Sequence, residues 1–455
     1  MTVPPAVSLT RLTYRYPGGQ ADALDVRDLR IGDGLILVTG DSGSGKSSLL
    51  RVFNGLVPHF HGGTIGGSAL VCGHDVNTTA TRVLATEVGF VFQDPELQSV
   101  YPTVERDVAF GLENIAVPPS AMPGRVAEAL ERTGIAHLRD RAVATLSGGE
   151  RQRLALAGVL AMQPRVLVLD EPLSQLDEDG ARSVVAILEA LAGSGTAVIV
   201  AEHRLDQLGV LGGRVLAMHG GRVVDPVSRA AARIIEAPMT PAAPYTAPSS
   251  VAWQLSGVAT GPARTPLLEG ICLEGRDSEV VALVGPNGGG KTTLLRTIAG
   301  LLVPLSGRVH REPGRVAFLP QNPMALLHRA TVAAEVAWTV RGDPPSGDAA
   351  MLLAELGLAH LAHRDPRDLS SGERQRAAIA AVLAGQPRIA LLDEPTRGMD
   401  TTARDALCRA IHRLRSAGSS IVIATHDRNL VAAIADRTVA VGAGAARELV
   451  PVAVA

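Results

Sequence analysis

The sequence predicts an α/β fold composed of two tandem repeats, each built around a mainly parallel sheet, and three observations support this prediction. Short apolar runs rich in Val, Ile and Leu alternate with longer helical patterns in both halves of the chain. Runs such as 35–39, 166–169 and 197–201 show little alternation, which is typical of parallel strands covered on both faces. The same short motifs also occur once in each half, in the same order.

Composition narrows the class of protein. The 455 residues suffice for about two to four domains, and the content of 46% hydrophobic and 19% charged residues is typical of a globular chain. The net charge of −2 gives no indication of a nucleic-acid-binding surface. Three cysteines are too few for a disulfide framework and indicate a reducing compartment. We expect no signal peptide, and no apolar run approaches the ~18 residues that a membrane span needs.

Only two of the 43 basic residues are lysines, and both lie in the same motif. Residues 40–48 and 285–293 each contain Gly-x-x-x-x-Gly-Lys-Ser/Thr after an apolar strand and before a predicted helix. This is a phosphate-binding loop, whose backbone N–H groups surround a phosphate at the positive end of the helix dipole. We expect Lys46 and Lys291 to reach the β- and γ-phosphate oxygens, and the hydroxyls of Ser47 and Thr292 to bind Mg²⁺.

A pair of carboxylates ends a later strand in each half. Asp170 and Glu171 follow one apolar run, and Asp393 and Glu394 follow its repeat. A strand end places the aspartate near Mg²⁺, and the glutamate can polarise an attacking water as general base. The sequence therefore predicts ATP hydrolysis in both halves.

A third repeated motif precedes a helix in each half. Residues 146–150 read Leu-Ser-Gly-Gly-Glu and residues 369–373 read Leu-Ser-Ser-Gly-Glu, ahead of helices predicted over 151–162 and 374–384. Ser147 and Ser370 are predicted N-caps, and Ser-x-x-Glu forms a capping box. With Gly149 and Gly372 they also predict a second phosphate-binding surface.

With all three motifs in both halves, the chain resembles the ATP-binding cassette (ABC) ATPases, with two cassettes fused in one polypeptide. The resemblance implies two tandem P-loop NTPase cassettes, each with a mainly parallel sheet core and a helical signature subdomain. We place the cassettes at 1–236 and 251–455. Four prolines among small residues indicate an extended linker at 237–250.

The resemblance also implies how the motifs work together. Each ATP would lie between the phosphate loop of one cassette and the signature serine and glycine of the other, within one chain. Gln93 and Gln321 match the glutamines that contact Mg²⁺ and face a membrane partner. His203 and His426 match the histidines that hold the γ-phosphate, and Asp177 and Asp400 match the aspartates of the D-loop. The resemblance places Tyr16 against the adenine.

Motifs and resemblance together assign the following site residues. The catalytic residues are Glu171, Glu394, His203, His426, Gln93 and Gln321. The Mg²⁺ ligands are Ser47, Gln93, Asp170, Thr292, Gln321 and Asp393. The ATP-binding residues are Tyr16, Gly40, Asp41, Ser42, Gly43, Ser44, Gly45, Lys46, Ser47, Ser48, Ser147, Gly149, Gly285, Pro286, Asn287, Gly288, Gly289, Gly290, Lys291, Thr292, Thr293, Ser370 and Gly372.

Segments 53–63, 93–98 and 103–114 are similar to the ATPase subunits of energy-coupling-factor (ECF) importers of vitamins and metal ions, and residues 202–205 are similar to the fused two-cassette members of that group. This implies peripheral attachment to the cytoplasmic face of the cell membrane, with a transmembrane coupling subunit and a substrate-binding membrane subunit as partners. Two alternatives stay open: the ATPase of another importer, of sugars, peptides or metals, and a soluble tandem cassette protein acting on ribosomes. The short uncharged linker and the near-neutral charge favour the importer and no nucleic acid.

The two halves differ where an aromatic residue would stack on the base. Residues 256–268, which match the segment from Tyr16 to Leu24, contain no aromatic residue. Trp253 is the nearest, and a shifted loop would be needed to bring it to the base. His59, His61, Cys72 and His74 suggest a weaker alternative, a metal site with loose ligand spacing.

Overall fold

The computed structural model describes residues 5–40, 43–95, 98–173, 176, 178–202, 213–224, 250–262, 265–340 and 348–449. The chain divides into two compact units, Met1–Ala237 and Pro238–Ala455. All of the predicted linker except Ser250 lies outside the described residues, so its limits stay a prediction.

The first unit begins with antiparallel strands and continues with alternating strands and helices. Its described strands are β1 (Val7–Arg15), β2 (Leu24–Ile31), β3 (Gly34–Thr39), β4 (Thr64–Val71), β5 (His74–Asp75), β6 (Val88–Val91), β7 (Val166–Asp170), β8 (Ala197–Ala201), β9 (Arg214–His219) and β10 (Arg222–Val224). Its described helices are α1 (Lys46–Phe53), α2 (Leu56–His59), α3 (Thr81–Glu87), α4 (Val104–Asn114), α5 (Met122–Arg132), α6 (Gly148–Ala161) and α7 (Glu178–Gly193).

Two sheets organise this unit. The larger has the order β10-β9-β3-β8-β7-β6, and all its pairs are parallel except the edge pair of β9 with β10. The smaller is antiparallel, in the order β2-β1-β4-β5. Because β3, β7 and β8 are parallel neighbours, the loops that follow them emerge at one edge of the sheet. The phosphate loop, the Asp-Glu pair and the segment toward His203 begin at that edge.

The second unit repeats this order of elements. Its described strands are β11 (Val251–Thr260), β12 (Leu268–Arg276), β13 (Val280–Val284), β14 (Ser306–Arg311), β15 (Val316–Leu319), β16 (Ile389–Asp393), β17 (Ser420–Ala424), β18 (Arg437–Gly442) and β19 (Ala445–Leu449). Its described helices are α8 (Lys291–Ala299), α9 (Val332–Thr339), α10 (Asp348–Glu355), α11 (Ser371–Leu383), α12 (Thr401–Ser416) and α13 (Arg428–Ile434).

The large sheet of the second unit has the same strand order as that of the first, and the small sheet has one strand fewer among the described residues. The larger sheet has the order β15-β16-β17-β13-β18-β19, parallel except for the edge pair of β18 with β19. The smaller sheet, β12-β11-β14, is antiparallel. β13 lies between β17 and β18 just as β3 lies between β8 and β9, so the internal repeat extends to strand order.

A group of helices packs on one side of each large sheet. In the first unit α4 and α5 pack against α6 through buried side chains such as Val108, Leu112, Leu130 and Leu156. In the second unit α9 and α10 pack against α11, with Val336, Leu352 and Ile379 in the shared core. These groups correspond to the predicted helical subdomain, and each ends in the helix that carries the Leu-Ser-x-Gly-Glu motif.

The predicted fold class is confirmed. The apolar runs at 35–39, 166–169 and 197–201 lie in β3, β7 and β8, which are neighbours in a sheet buried on both faces. Helices α6 and α11 begin three residues before their predicted starts, because Ser147 and Ser370 cap them directly. The antiparallel sheets were not predicted.

Candidate functional site

Each phosphate loop connects a central strand to a helix and has a backbone that depends on glycine. Three glycines of the first loop have φ values of 148°, 75° and 100°, and their counterparts in the second have 146°, 75° and 101°. A Cβ at Gly285 would collide with the carbonyl oxygen of Val441, so this position excludes a side chain. The three glycines therefore have matching backbone φ values in the two loops. Asp41 and Ser42 lie outside the described residues.

A buried lysine closes each loop. Lys46 Nζ donates to the carbonyl oxygen of Gly40 at 2.6 Å, and Lys291 Nζ donates to those of Gly285 and Pro286 at 2.7 and 3.1 Å. Beside Lys46, the buried hydroxyl of Ser44 has no hydrogen-bond partner. An ammonium, an unsatisfied hydroxyl and a helix N-terminus at one glycine-lined loop fit the phosphates of ATP.

Hard oxygen ligands meet beside each loop. The Thr292 hydroxyl donates to Asp393 Oδ2 at 2.7 Å, and the Ser47 hydroxyl makes the corresponding bond to Asp170. Burial, with a smaller contribution from the adjacent glutamate, raises the pKa of both Asp170 and Asp393 to about 6. A hydroxyl beside a carboxylate fits Mg²⁺, whose double charge would favour the ionised carboxylates.

The glutamates follow the strands in a left-handed backbone conformation. Glu171 has φ 50° and Glu394 has φ 47°, values uncommon for residues with a side chain. The N–H of each donates at 2.8 Å to the last carbonyl of the neighbouring strand, at Ala201 and Ala424. This backbone turns both carboxylates out of the strand direction at the edge where the phosphate loops lie.

Each glutamate carboxylate contacts another side chain that the sequence assigned to the site. Gln93 Nε2 donates to Glu171 Oε2 at 2.6 Å, whereas His426 Nδ1 lies 2.9 Å from Glu394 Oε2. Gln321 is exposed and forms no hydrogen bond with Glu394. His203, the counterpart of His426, lies outside the described residues, as does Asp177. The structure therefore shows a glutamine–glutamate contact in the first cassette and a histidine–glutamate contact in the second.

The motif serines are N-caps. Ser147 and Ser370 accept from the N–H of Glu150 and Glu373, and both glutamates accept the serine N–H in return, which makes two complete capping boxes. The predicted capping is therefore confirmed. The second phosphate-binding surface stays a prediction. Asp400, assigned to the D-loop, caps α12 by accepting from the N–H of Ala403 at 2.8 Å.

The aromatic residues near the two sites differ. The Tyr16 hydroxyl lies 2.9 Å from Ser48 Oγ, so the ring flanks the first turn of α1, and Tyr14 packs edge-on against it. Trp253 is fully buried on β11, and its indole N–H donates to Ser420 Oγ at 3.1 Å. A shifted loop therefore does not bring Trp253 to the base, because its ring belongs to the core.

The histidines and cysteine of the alternative metal site have other contacts. His59 Nε2 bonds to the carbonyl of Val76 at 2.7 Å, and His61 packs edge-on against Tyr16. Across the part of the chain that the structure describes, no three His, Cys, Asp or Glu side chains are grouped to hold a metal.

Sequence reasoning missed two residues next to the glutamates. The Gln375 side chain donates to the carbonyls of Glu394 and Pro395, and Glu202 accepts from the N–H of Leu173. The available signal for Gln375 was its repeat at Gln152, two residues after the third motif in each half. Glu202 had no repeat, since Thr425 stands in its place.

Fold and site together define a tandem P-loop ATPase with two nucleotide sites. The chain belongs to the ABC transporter family, whose model matches residues 28–174 and 268–397. It is therefore a tandem-cassette ABC ATPase that binds ATP. No helix within the described ranges has the length and apolar character to span a bilayer.

The similarity of this chain to known proteins covers nearly its whole length. A proposed ABC transporter ATP-binding protein of Streptomyces coelicolor is 36% identical over 95% of this chain and 92% of its own length. A proposed one of Streptomyces avermitilis is 37% identical over 95% and 91%. The archaeal ribosome recycling factor aABCE1, solved with the stalk protein aP1, has a TM-score of 0.67 over 96% of this chain and 89% of its own. At 23% identity, that likeness shows the shared fold alone.

Proposed function

We propose that this chain is the energy-coupling ATPase of a membrane importer of the ECF type, which takes up a vitamin or a metal ion. The relatives named as ABC transporter ATP-binding proteins, which match almost the whole chain, support a transport role. The observation that carries the proposal is an exposed apolar surface beside Gln93.

This surface, the Gln93 surface, consists of Phe92, Val100, Tyr101 and Phe110. Val100 is 57% exposed, Phe92 and Phe110 are also exposed, and the rings of Tyr101 and Phe110 lie edge to face at 5.9 Å. Large exposed apolar side chains of this kind are typical of sites that bind another protein. The helix of a transmembrane coupling subunit is the partner that an importer ATPase would receive here.

The Gln93 surface is connected to the catalytic glutamate by one side chain. Gln98 bridges the N–H of Phe92 and the carbonyl of Phe90, which fixes the segment carrying Gln93. Gln93 then donates to Glu171 at 2.6 Å. A partner that shifted this segment would therefore change the position of the glutamate, which is the physical link that energy coupling requires.

We infer that hydrolysis uses the residues already grouped at each site. Lys46 and Lys291 bind the β- and γ-phosphates, and Glu171 and Glu394 accept a proton from the attacking water. When bound, Mg²⁺ neutralises charge on the phosphates. The Ser47–Asp170 and Thr292–Asp393 pairs would hold it. His426 holds Glu394 and the γ-phosphate in place.

We also propose that the two cassettes of one chain close on two ATP molecules. One site would pair residues 40–48 with Ser370 and Gly372, and the other would pair residues 285–293 with Ser147 and Gly149. Closure on ATP and opening after hydrolysis would move the membrane partners, a coupling subunit and a substrate-binding subunit, from the cytoplasmic face of the membrane.

Purification from detergent-solubilised membranes tests this function. The wild-type chain should recover a multi-span coupling protein together with a small substrate-binding membrane protein. The variant Val100→Asp should lose both and keep its basal ATPase activity, because Val100 lies on the surface and not at the nucleotide. Val224→Asp, which places a charge at another exposed valine on β10, is the matched control and should recover both proteins. Sedimentation with ribosomes, and no membrane partner, would overturn the proposal.

A further inference from the structure

The turn that follows each catalytic glutamate is strained. Glu171 and Glu394 have φ near +50°, and such residues persist only where surrounding contacts hold them. In both cassettes the glutamate N–H is held by the neighbouring strand at 2.8 Å. What holds the rest of the turn differs between the cassettes.

In the second cassette, the turn is held by the signature helix α11. Gln375 is 1% exposed, and its Nε2 lies 3.4 Å from the carbonyl oxygen of Glu394 and 3.3 Å from that of Pro395. At the start of the same helix, a Cβ on Gly372 would collide with the carbonyl oxygen of Gly398. The helix therefore contacts the backbone of residues 394–398 at two points.

In the first cassette, Gln152 occupies the position of Gln375 and is also buried, at 2% exposed. It forms no hydrogen bond with the carbonyls of Glu171 or Pro172, both of which the structure describes. Instead Glu202, 2% exposed at the end of β8, accepts from the N–H of Leu173 at 3.3 Å. In the second cassette, Thr425 replaces Glu202 and accepts from Asp427 N–H.

We propose that Gln375 and Glu202 are positioning residues, each of which holds the backbone turn of the catalytic glutamate in its own cassette. This inference rests on the proposed role of Glu171 and Glu394 as general bases. Because a base must lie within hydrogen-bond reach of the attacking water, a small shift of the turn lowers the hydrolysis rate. Movement of α11 would reach Glu394 directly, whereas Glu171 would follow the end of β8, next to His203.

The first test removes the donor of Gln375 without changing its size. Gln375→Met should lower kcat for ATP by at most two-fold if the two sites turn over independently and at equal rates. If the sites are coupled, the loss should be about 10-fold, which is less than the 10²–10⁴-fold expected for losing a general base. The Kd for ATP and the midpoint of thermal unfolding should stay close to wild type. Gln152→Met, the matched control, should leave kcat unchanged, because Gln152 makes no bond to its turn.

The second test asks whether Gln375 acts through Glu394. In single-turnover hydrolysis, Gln375→Met should cause no further loss when combined with Glu394→Gln, since no base is left to position. A further loss in that background, or an equal loss from Gln152→Met, would overturn the inference. If Glu394→Gln by itself leaves hydrolysis unchanged, the proposed base fails instead, so the two failures are distinguishable.

The third test addresses Glu202. Glu202→Leu removes the acceptor of the Leu173 N–H and should lower kcat as Gln375→Met does. Glu202→Gln keeps a carbonyl oxygen at the same place and should restore most of the rate. Equal losses in the two variants would show that the charge of Glu202, and not its hydrogen bond, is what matters, and would overturn its assignment as a positioning residue.

Discussion

Glu171 and Glu394 have the same left-handed backbone conformation, and their carboxylates contact Gln93 and His426, respectively. We predict that the double variant Glu171→Gln/Glu394→Gln binds ATP and hydrolyses it on the order of 10²–10⁴-fold more slowly, because glutamine keeps the shape but accepts no proton. Phosphate release and retained radiolabelled ATP measure the two effects. Hydrolysis at the wild-type rate would contradict the general-base role.

The buried carboxyl of Asp393 makes the free energy of unfolding depend on pH. Burial raises its pKa to about 6, above the ~3.9 of an unfolded aspartate, so the ionised form destabilises the folded state. Without ATP and Mg²⁺, Asp393→Asn should therefore raise the free energy of unfolding at pH 7 by about 1–3 kcal/mol.

The pH dependence of the difference in the free energy of unfolding between Asp393→Asn and wild type identifies its cause. Below about pH 4 the carboxyl is protonated in both states, so the difference between variant and wild type should disappear as pH falls from 6 to 4. Denaturant titrations at several pH values measure it. A stabilisation that persists at pH 4 would have a cause other than the buried charge.

Tyr16 lies beside α1, and the second cassette has no aromatic residue from 254 to 317. We predict that the Lys46 site binds ATP more tightly and selects ATP over GTP more strongly than the Lys291 site. Stacking of a base on an aromatic ring contributes about 1–3 kcal/mol in nucleic-acid complexes. Nucleotide binding by Lys291→Ala and Lys46→Ala proteins should report the two sites separately. Tyr16→Ala should remove the difference, whereas equal base selectivity in the two proteins would contradict it.

At the scale of elements, the signature helices α6 and α11 differ in how closely other atoms pack against their first turns. A Cβ at Gly149 meets only the end of the Leu176 side chain at 3.3 Å, whereas one at Gly372 collides with the Gly398 carbonyl. We predict that Gly372→Ala lowers the free energy of unfolding by about 1–3 kcal/mol.

Gly149→Ala is the matched control and should be neutral or slightly stabilising, because alanine favours helix over glycine and the leucine can move. Thermal unfolding of both variants without nucleotide separates packing from any contact with ATP. If Gly372→Ala is as stable as wild type, the backbone of 394–398 moves away from the added methyl group at no cost, and the prediction is wrong.

At the scale of the whole molecule, we predict that the two cassettes of one chain pair with each other. In a variant without Cys72, Cys272 and Cys408, the substitutions Ser42→Cys and Ser371→Cys should crosslink within the chain when ATP is present. A linker of about 14 extended residues reaches roughly 45 Å, enough to let the halves face each other.

Mixing two tagged forms of the chain checks that prediction, since crosslinks between different tags report pairing of separate copies. Crosslinks only between copies would show that the chain pairs with another molecule. Crosslinking that does not depend on ATP would show that the cassettes do not close on nucleotide.

The sequence alone determined the repeat, the fold class, the phosphate loops and the capping boxes. These features depend on neighbouring residues, on glycines at fixed positions, or on a hydrophobic period. Such properties are local, so the sequence shows them directly.

The tertiary structure decided which side chains meet across distant parts of the chain. Trp253 and Ser420 are 167 positions apart, and their hydrogen bond makes the tryptophan a core residue. The pairs Gln93–Glu171 and Gln375–Glu394, and the choice of Glu202 over Gln152, likewise depend on how elements pack. Two halves with the same motifs can hold their glutamates differently because a buried turn needs partners for its N–H and carbonyl groups, and packing determines which side chain supplies them.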